Sequence, residues 1–219
     1  MKLRILARYS LFLLAAGTPA FCQSSESTSS LSCWDTHHGG TFQTRHAKTS
    51  VAKSSGGSAY AEVTAEASNS GEAQFCKNTV QVFFAKDGTN YKVAYEKAGL
   101  DDEGVGIRVL GWSQNGKELL METSVWGYDL DRDVSKSALL LEAETAEVKE
   151  LPLADAFEHV FGKDCEFDSS VIGWQGDERV LIRVGKTPPT TKYQQTFCVE
   201  KPTIYSFNLK EGKIQTGKP

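Results

Sequence analysis

Several groups of residues in this 219-residue chain are of types that could do chemistry. His37, His38 and His46 stand close together and invite a metal ion. No cysteine or acidic partner sits at an interval diagnostic of zinc, so the stretch reads as a short polar edge strand around a Gly39-Gly40 turn. Asp129, Asp131 and Asp133 alternate as calcium-loop ligands do. Glycine is missing where such a loop must turn, and Leu140 stands where the closing bidentate glutamate belongs, which makes the segment a solvated loop. Asp101-Asp102-Glu103 is a charge run of the same kind. Paired carboxylates for hydrolysis have 28 acidic residues to draw on, but no spacing singles out two of them. The chain has no GxSxG elbow, P-loop, HExxH or GxGxxG pattern. No catalytic, cofactor-binding or metal-ligating residue is assigned and no cofactor is expected.

Recognition is the chemistry that remains. Trp126 and Tyr128, and again Tyr193 and Phe197, fall in long loops at corresponding places of adjacent repeats. Loops at one end of packed sheets often carry binding, and Trp and Tyr are favoured anchors. The alternative is that these rings pack under their own loops. A protein or glycan ligand, with self-association as a further option, is therefore expected ahead of catalysis. The competing class is a secreted hydrolase acting through paired carboxylates, and a third is a structural accessory of an envelope assembly.

The N-terminus places the protein. Lys2, Arg4 and Arg8 precede the apolar run Leu11–Ala16, then small residues and Pro19, the pattern of a secretory signal peptide cut after Cys22, or else after Ala20. A lipoprotein reading would acylate Cys22, where bulky Phe21 precedes the cysteine. The expected compartment is periplasmic or extracellular. Nothing else approaches the roughly 20 apolar residues of a membrane-spanning helix. Loss of residues 1–22 removes three basic residues and takes the net charge from −4 to −7. With no basic cluster against that background, nucleic acid and anionic membranes are not expected partners.

Export gives the cysteines their meaning. Cys33, Cys76, Cys165 and Cys198 form an even set in an oxidising compartment, so two disulfides are expected, with three connectivities open. Measured against the repeat turns, Cys33 and Cys165 precede a turn while Cys76 and Cys198 follow it. That pattern selects Cys33–Cys76 and Cys165–Cys198.

The elements that position these residues are strands. Ile107–Thr123 reads strand, Ser113-Gln114-Asn115-Gly116 turn, strand, because Asn-Gly tolerates positive φ at little cost. A degraded copy returns at Ser170–Val184, where Gly173-Trp174 repeats Gly111-Trp112, and a weaker one precedes at Ser54–Thr64. Tyr60–Ala67 alternates with period two, and a Ser68–Gly71 loop leads to a strand at Thr79–Ala85 and another at Tyr91–Tyr95. Ala98–Gly106 reads as the connection to the second repeat. There, Ser137–Ala143 and Glu147–Leu151 follow the hairpin. Pro152 then opens a helix at Leu153–Phe161, stopped by Gly162, with His159 on its polar side. Thr203–Leu209 and Lys213-Ile214 close the third repeat, and the period is about 60 residues.

The segment Val109–Leu120, centred on Gly111-Trp112-Ser113-Gln114-Asn115-Gly116-Lys117, resembles the W-S-P-D-G-K-x-L signature of TolB-type (WD-like) β-propeller repeats. Glu142–Glu147 is similar to the D-x-x-T-G-x strand end of those blades. Gln114 and Asn115 replace the Pro and Asp of the signature, and the third copy is shorter at its turn. The resemblance covers about a third of the chain and implies blade-like antiparallel sheets. It carries no activity. Three sheets do not comfortably ring a channel, since propellers close with four to eight.

The expected fold is all-β: three propeller-blade-like antiparallel meanders, as a partial propeller or as stacked sheets, with one short helix. The expected organisation is a signal peptide at 1–22, a disordered Ser-rich tether at 23–32, and one domain at 33–219 with repeats at 33–98, 99–162 and 163–219. Under non-reducing conditions the intact mass of the mature protein should fall short of the fully reduced mass by four hydrogens. A shortfall of two would leave one cysteine pair free.

Overall fold

The structure, a computed structural model, describes residues 27–31, 37–38, 41–42, 44–70, 73–100, 103–127, 134–186 and 196–215. The signal peptide, Cys33, Tyr128, the Asp129–Asp133 run and Tyr193 lie outside the described residues. Strand β1 (Ser27–Leu31) is followed by the small hairpin of β2 (His37–His38) and β3 (Thr41–Phe42). The first large sheet has β4 (Arg45–Lys48) and β5 (Ala52–Ser54) both pairing with β6 (Gly57–Ser70), then β7 (Ala73–Ala85) and β8 (Lys92–Ala98). The middle sheet comprises β9 (Glu103–Trp112), β10 (Glu118–Gly127), β11 (Val134–Glu142) and β12 (Val148–Glu150), with β1 added on the free side of β9. Helix α1 (Leu153–Phe161) leads into the third sheet, β13 (Asp168–Gln175), β14 (Arg179–Gly185), β15 (Thr203–Asn208) and β16 (Lys213–Gln215).

These are three antiparallel meanders, none closed into a barrel, stacked with the second repeat in the middle. Stacking explains why the middle strands read as unbroken apolar runs. Leu119, Met121, Leu139 and Leu141 face the first sheet and join Val63, Val80, Val82 and Phe84 in one core. Leu120, Ala138 and Leu140 face the other way and meet Val180, Ile182, Val184 and Phe207 in a second. Burying each large aliphatic side chain contributes about 1.5–3 kcal/mol. Among the described residues, the first sheet is covered on one face. On its outer side Tyr60 stacks on Phe83 with ring centroids 4.9 Å apart, and Val93 is 49% exposed.

Helix α1 fills the wedge beside the third sheet. Pro152 precedes it, and at Gly162, which has φ 79°, the backbone N–H still donates to the Glu158 carbonyl. The fully buried Phe157 packs with Phe161, Phe167 and Tyr205, its ring centroid 5.2–5.7 Å from theirs. A disulfide joins Cys165, just after the helix, to Cys198, just before β15, as expected. The Cys33–Cys76 pairing lies outside the described residues.

The recurrent Gly-Trp pair has a backbone cause. In the middle sheet the register slips between Leu120 and Met121, so that Leu120 pairs with Gly111 and Met121 with Val109. In the third, Ile182 pairs with Val171 and Leu181 with Gly173. Each first strand thus carries a bulge beside a glycine at positive φ, 127° at Gly111 and 143° at Gly173. Both tryptophans turn back toward the preceding sheet. Trp174 Nε1 donates to the Gly111 carbonyl at 2.8 Å, while Trp112 lies against Phe84 with ring centroids 6.2 Å apart.

Three sequence expectations change. Ser27–Leu31 is a strand paired with β9, not part of a disordered tether, because an unpaired edge offers even a Ser-rich segment a full hydrogen-bonding ladder. Ser68–Ser70 extends the β6–β7 hairpin, whose pairing runs without a break to Ser70 and Ala73, instead of opening a loop. Glu103–Gly106 belongs to β9 rather than to a connection, since Gly104 and Gly106 supply close packing that a propensity scale reads as loop.

The turns that join first and second strands form a column. Ser54 Oγ donates to the Gly116 carbonyl at 3.1 Å, and Asn115 N–H donates to Asp177 Oδ1 at 2.8 Å. A Cβ on Gly56 would fall 2.2 Å from that same Gly116 carbonyl oxygen, so only glycine allows the first two turns to touch. Gly56→Ala should therefore cost about 1–3 kcal/mol in denaturant unfolding. Gly185→Ala, whose added methyl meets nothing within 4 Å among the described residues, should stay within about 0.5 kcal/mol.

Candidate functional site

Of the four aromatic residues expected to bind, Trp126 and Phe197 are described. Trp126 lies not in the loop expected from the sequence but next to last in β10, because the ladders to both neighbours continue that far: it pairs with Gly104 on one side and Val134 on the other. Its indole lies flat across β9: a Cβ on Gly104 would be 2.2 Å from Cε2, and one on Gly106 3.4 Å from Cζ3. Glycine opposite an aromatic leaves backbone for the ring to cover, which fixes its orientation while leaving it half-buried.

Phe197 is fixed differently. Glu166 N–H donates to the Thr196 carbonyl at 2.8 Å and Cys198 N–H to the Glu166 carbonyl at 3.0 Å, a short parallel bridge beside the Cys165–Cys198 disulfide. Lys186 Nζ stands 5.3 Å from the centre of the Phe197 ring.

Both rings belong to the same end of the stack, opposite the column of turns. Ser124, two residues before Trp126, pairs with Lys136, and Lys136 Nζ meets Asp168 at 2.8 Å. Asp168 pairs with Gly185, the residue before Lys186. Trp126 and Phe197 are thus joined through strand pairing and one ion pair, without direct contact. The signal that the rings share an end was their corresponding place in the repeats. That Gly104 and Gly106 seat the first ring was not readable without knowing the register.

The other candidates fare otherwise. His46 Nδ1 meets Glu62 Oε1 at 2.8 Å and lies 3.2 Å from Thr64 Oγ1, a cross-strand surface pair also shared by Lys48 at 3.1 Å. His37 and His38 form β2. Among the described residues no group of three or more His, Cys, Asp or Glu could hold a metal ion. His159 lies in the last turn of α1.

Two carboxylates do stand directly opposite each other, Glu118 on β10 and Glu142 on β11. Burial raises the Glu118 carboxyl above its ordinary range, and the charge of Glu142 adds to the effect. Lys149 is ion-paired to Glu142 and partly offsets it. This pair sits by the column of turns, at the end away from Trp126.

The charged group that sequence reasoning passed over is structural. Arg108 and Glu122 are cross-strand partners on the middle sheet. Arg108 Nη2 donates to Glu122 Oε2 at 2.6 Å and to the Val171 carbonyl at 2.5 Å, while Val171 N–H donates to Glu122 Oε1 at 2.7 Å. The pair thereby satisfies both backbone groups of one residue on the edge strand β13, and holds the third sheet against the second. Glu122 is 7% exposed. Removing one partner leaves the other charge buried, so Arg108→Met or Glu122→Gln alone should each cost about 3–5 kcal/mol in denaturant unfolding. The double replacement should cost less than the sum of the two.

Among the described residues, no helix is long and apolar enough to cross a membrane. No family model, curated protein or solved structure matches the chain.

Proposed function

We propose that the protein is an exported binding or interaction module built of propeller-like repeats. In this reading its recognition surface lies at the end of the stack that carries Trp126 and Phe197. The observation that supports it is the seating of Trp126: an indole held flat on Gly104 and Gly106 is a rigid aromatic platform that loses little entropy on binding. Phe197, anchored beside a disulfide with Lys186 over its ring, adds a second fixed ring and a cation at the same end. Such a surface suits a protein segment or a glycan, both of which stack on partly exposed rings, in a periplasmic or extracellular setting.

The alternative, a secreted hydrolase, draws on Glu118 and Glu142. Lys149 ties up one of the two, which favours the binding reading.

Site-specific photo-crosslinking in the native host separates the two. A crosslinking residue at Trp126 or Phe197 should yield a discrete adduct that the same residue at Lys92, on β8 of the first sheet, does not. Equal labelling at all three positions, or none, would sink the site at the Trp126 end. Hydrolysis of a glycan or ester panel that vanishes in Glu118→Gln would instead establish the hydrolase.

A further inference from the structure

The free side of β9 is occupied by a strand poorly matched to it. Strand β1 pairs antiparallel with β9 over five residues, from Ser27 opposite Val109 to Leu31 opposite Val105. The partners are apolar and buried: Val105, Ile107 and Val109 are at most 2% exposed and belong to the core between the first and middle sheets. Strand alternation directs Ser27, Ser29 and Leu31 to that same side. Leu31 packs on the core, and Ser27 Oγ accepts the Ser50 N–H of the first sheet at 2.8 Å. Between them Ser29, opposite Ile107, is 4% exposed and its hydroxyl has no hydrogen-bond partner.

A buried hydroxyl without a partner opposes the docking of the strand that carries it. The sequence Ser-Thr-Ser-Ser-Leu offers one apolar side chain to a slot whose floor, Val105, Ile107 and Val109, is apolar. The slot itself is well formed, with a backbone ladder on β9, an apolar floor and a neighbouring sheet that closes its side. We infer that the β9 edge is a strand-accepting site. Its intended guest is an extended peptide with β-branched or aliphatic residues at alternate positions, and β1 is its weak resident. Backbone pairing supplies affinity in such sites and the inward alternate side chains supply choice. Here the choice falls on the residue opposite Ile107. The slot borders the Trp126 end, since a Cβ on Gly106 would meet both Ser30 and the Trp126 ring, but the peptide ranking and the crosslinking read the two sites separately.

The test uses the full chain and a fluorescein-labelled peptide of residues Ser24–Ser32 carrying Ser29→Val, with binding read by anisotropy. Leu31→Ala and Leu31→Asp weaken the resident strand, and Ser29→Val in the protein strengthens it. Peptide affinity should rank Leu31→Asp, then Leu31→Ala, then wild type, then Ser29→Val. The labelled peptide should bind the Leu31 variants about tenfold more tightly than does the unchanged Ser24–Ser32 sequence. Circular dichroism checks that each variant is folded, and Leu31→Ala carries the comparison if Leu31→Asp is not. Equal affinity across the folded proteins, or none for either peptide, would overturn the inference. So would a concentration-dependent dimer of the Leu31 variants that excludes the peptide, since the guest would then be a second copy.

Discussion

A sheet with neighbours on both sides must be apolar on both faces, and the rest of this structure follows from that requirement. Strand β10 meets it with Leu119 and Met121 on one side and Leu120 on the other, all fully buried. Strand β11 does the same with Leu139, Leu141 and Leu140. Such strands have no solvated face to fix their register, which a one-residue slip would otherwise invert. Specific devices fix it instead. The bulge at Leu110-Gly111 sets the pairing of β9 with β10, and the cross-strand Arg108–Glu122 pair locks it.

The two interfaces of the stack are built on different principles. Between the first and middle sheets the contact is almost wholly apolar, with Ala59, Ala61 and Val63 letting the layers approach closely. Between the middle and third sheets, Arg108 and Glu122 reach the backbone of β13, and Trp174 reaches the carbonyl at the preceding bulge. These polar contacts are directional, so they set orientation as well as attraction. Polar contacts between successive repeats recur at nearly one spacing: Ser54 to Gly116 and Asn115 to Asp177 are 62 residues apart, Arg108 to Val171 and Gly111 to Trp174 are 63. The internal repeat is thus a repeat of contacts as well as of sequence.

Much of this architecture was legible because its signals are local. Asn115-Gly116 marks a hairpin, with Gly116 at φ 70° and the Asn115 side chain accepting the Lys117 N–H, and the apolar period of Leu153–Phe161 with Gly162 behind it fixes the helix to the residue. The Cys165–Cys198 bond followed from the place of each cysteine relative to a turn. What escaped was non-local. Ser27–Leu31 has no strand propensity to speak of and becomes a strand only because β9 presents an edge. Gly104 and Gly106 look like a loop until Trp126 is known to lie across them. Arg108 and Glu122 are two unremarkable charges until the register sets them opposite each other and in reach of Val171. At the candidate site, the choice of Trp126 could be read from its position, but the glycine seat that holds its ring could not.

The order of the strands in the middle sheet carries a kinetic consequence. Strands β9 to β12 follow one another in the chain, so their hairpins close over short loops and form quickly. Strand β1 is made before all of them, and the whole first sheet separates it from its partner β9. As the chain emerges from its N-terminus, β1 must stay unpaired until both sheets that flank its slot exist. It is thus the last piece of the middle sheet to settle, after the longest loop closure in that sheet, and its low apolar content keeps it soluble during the wait.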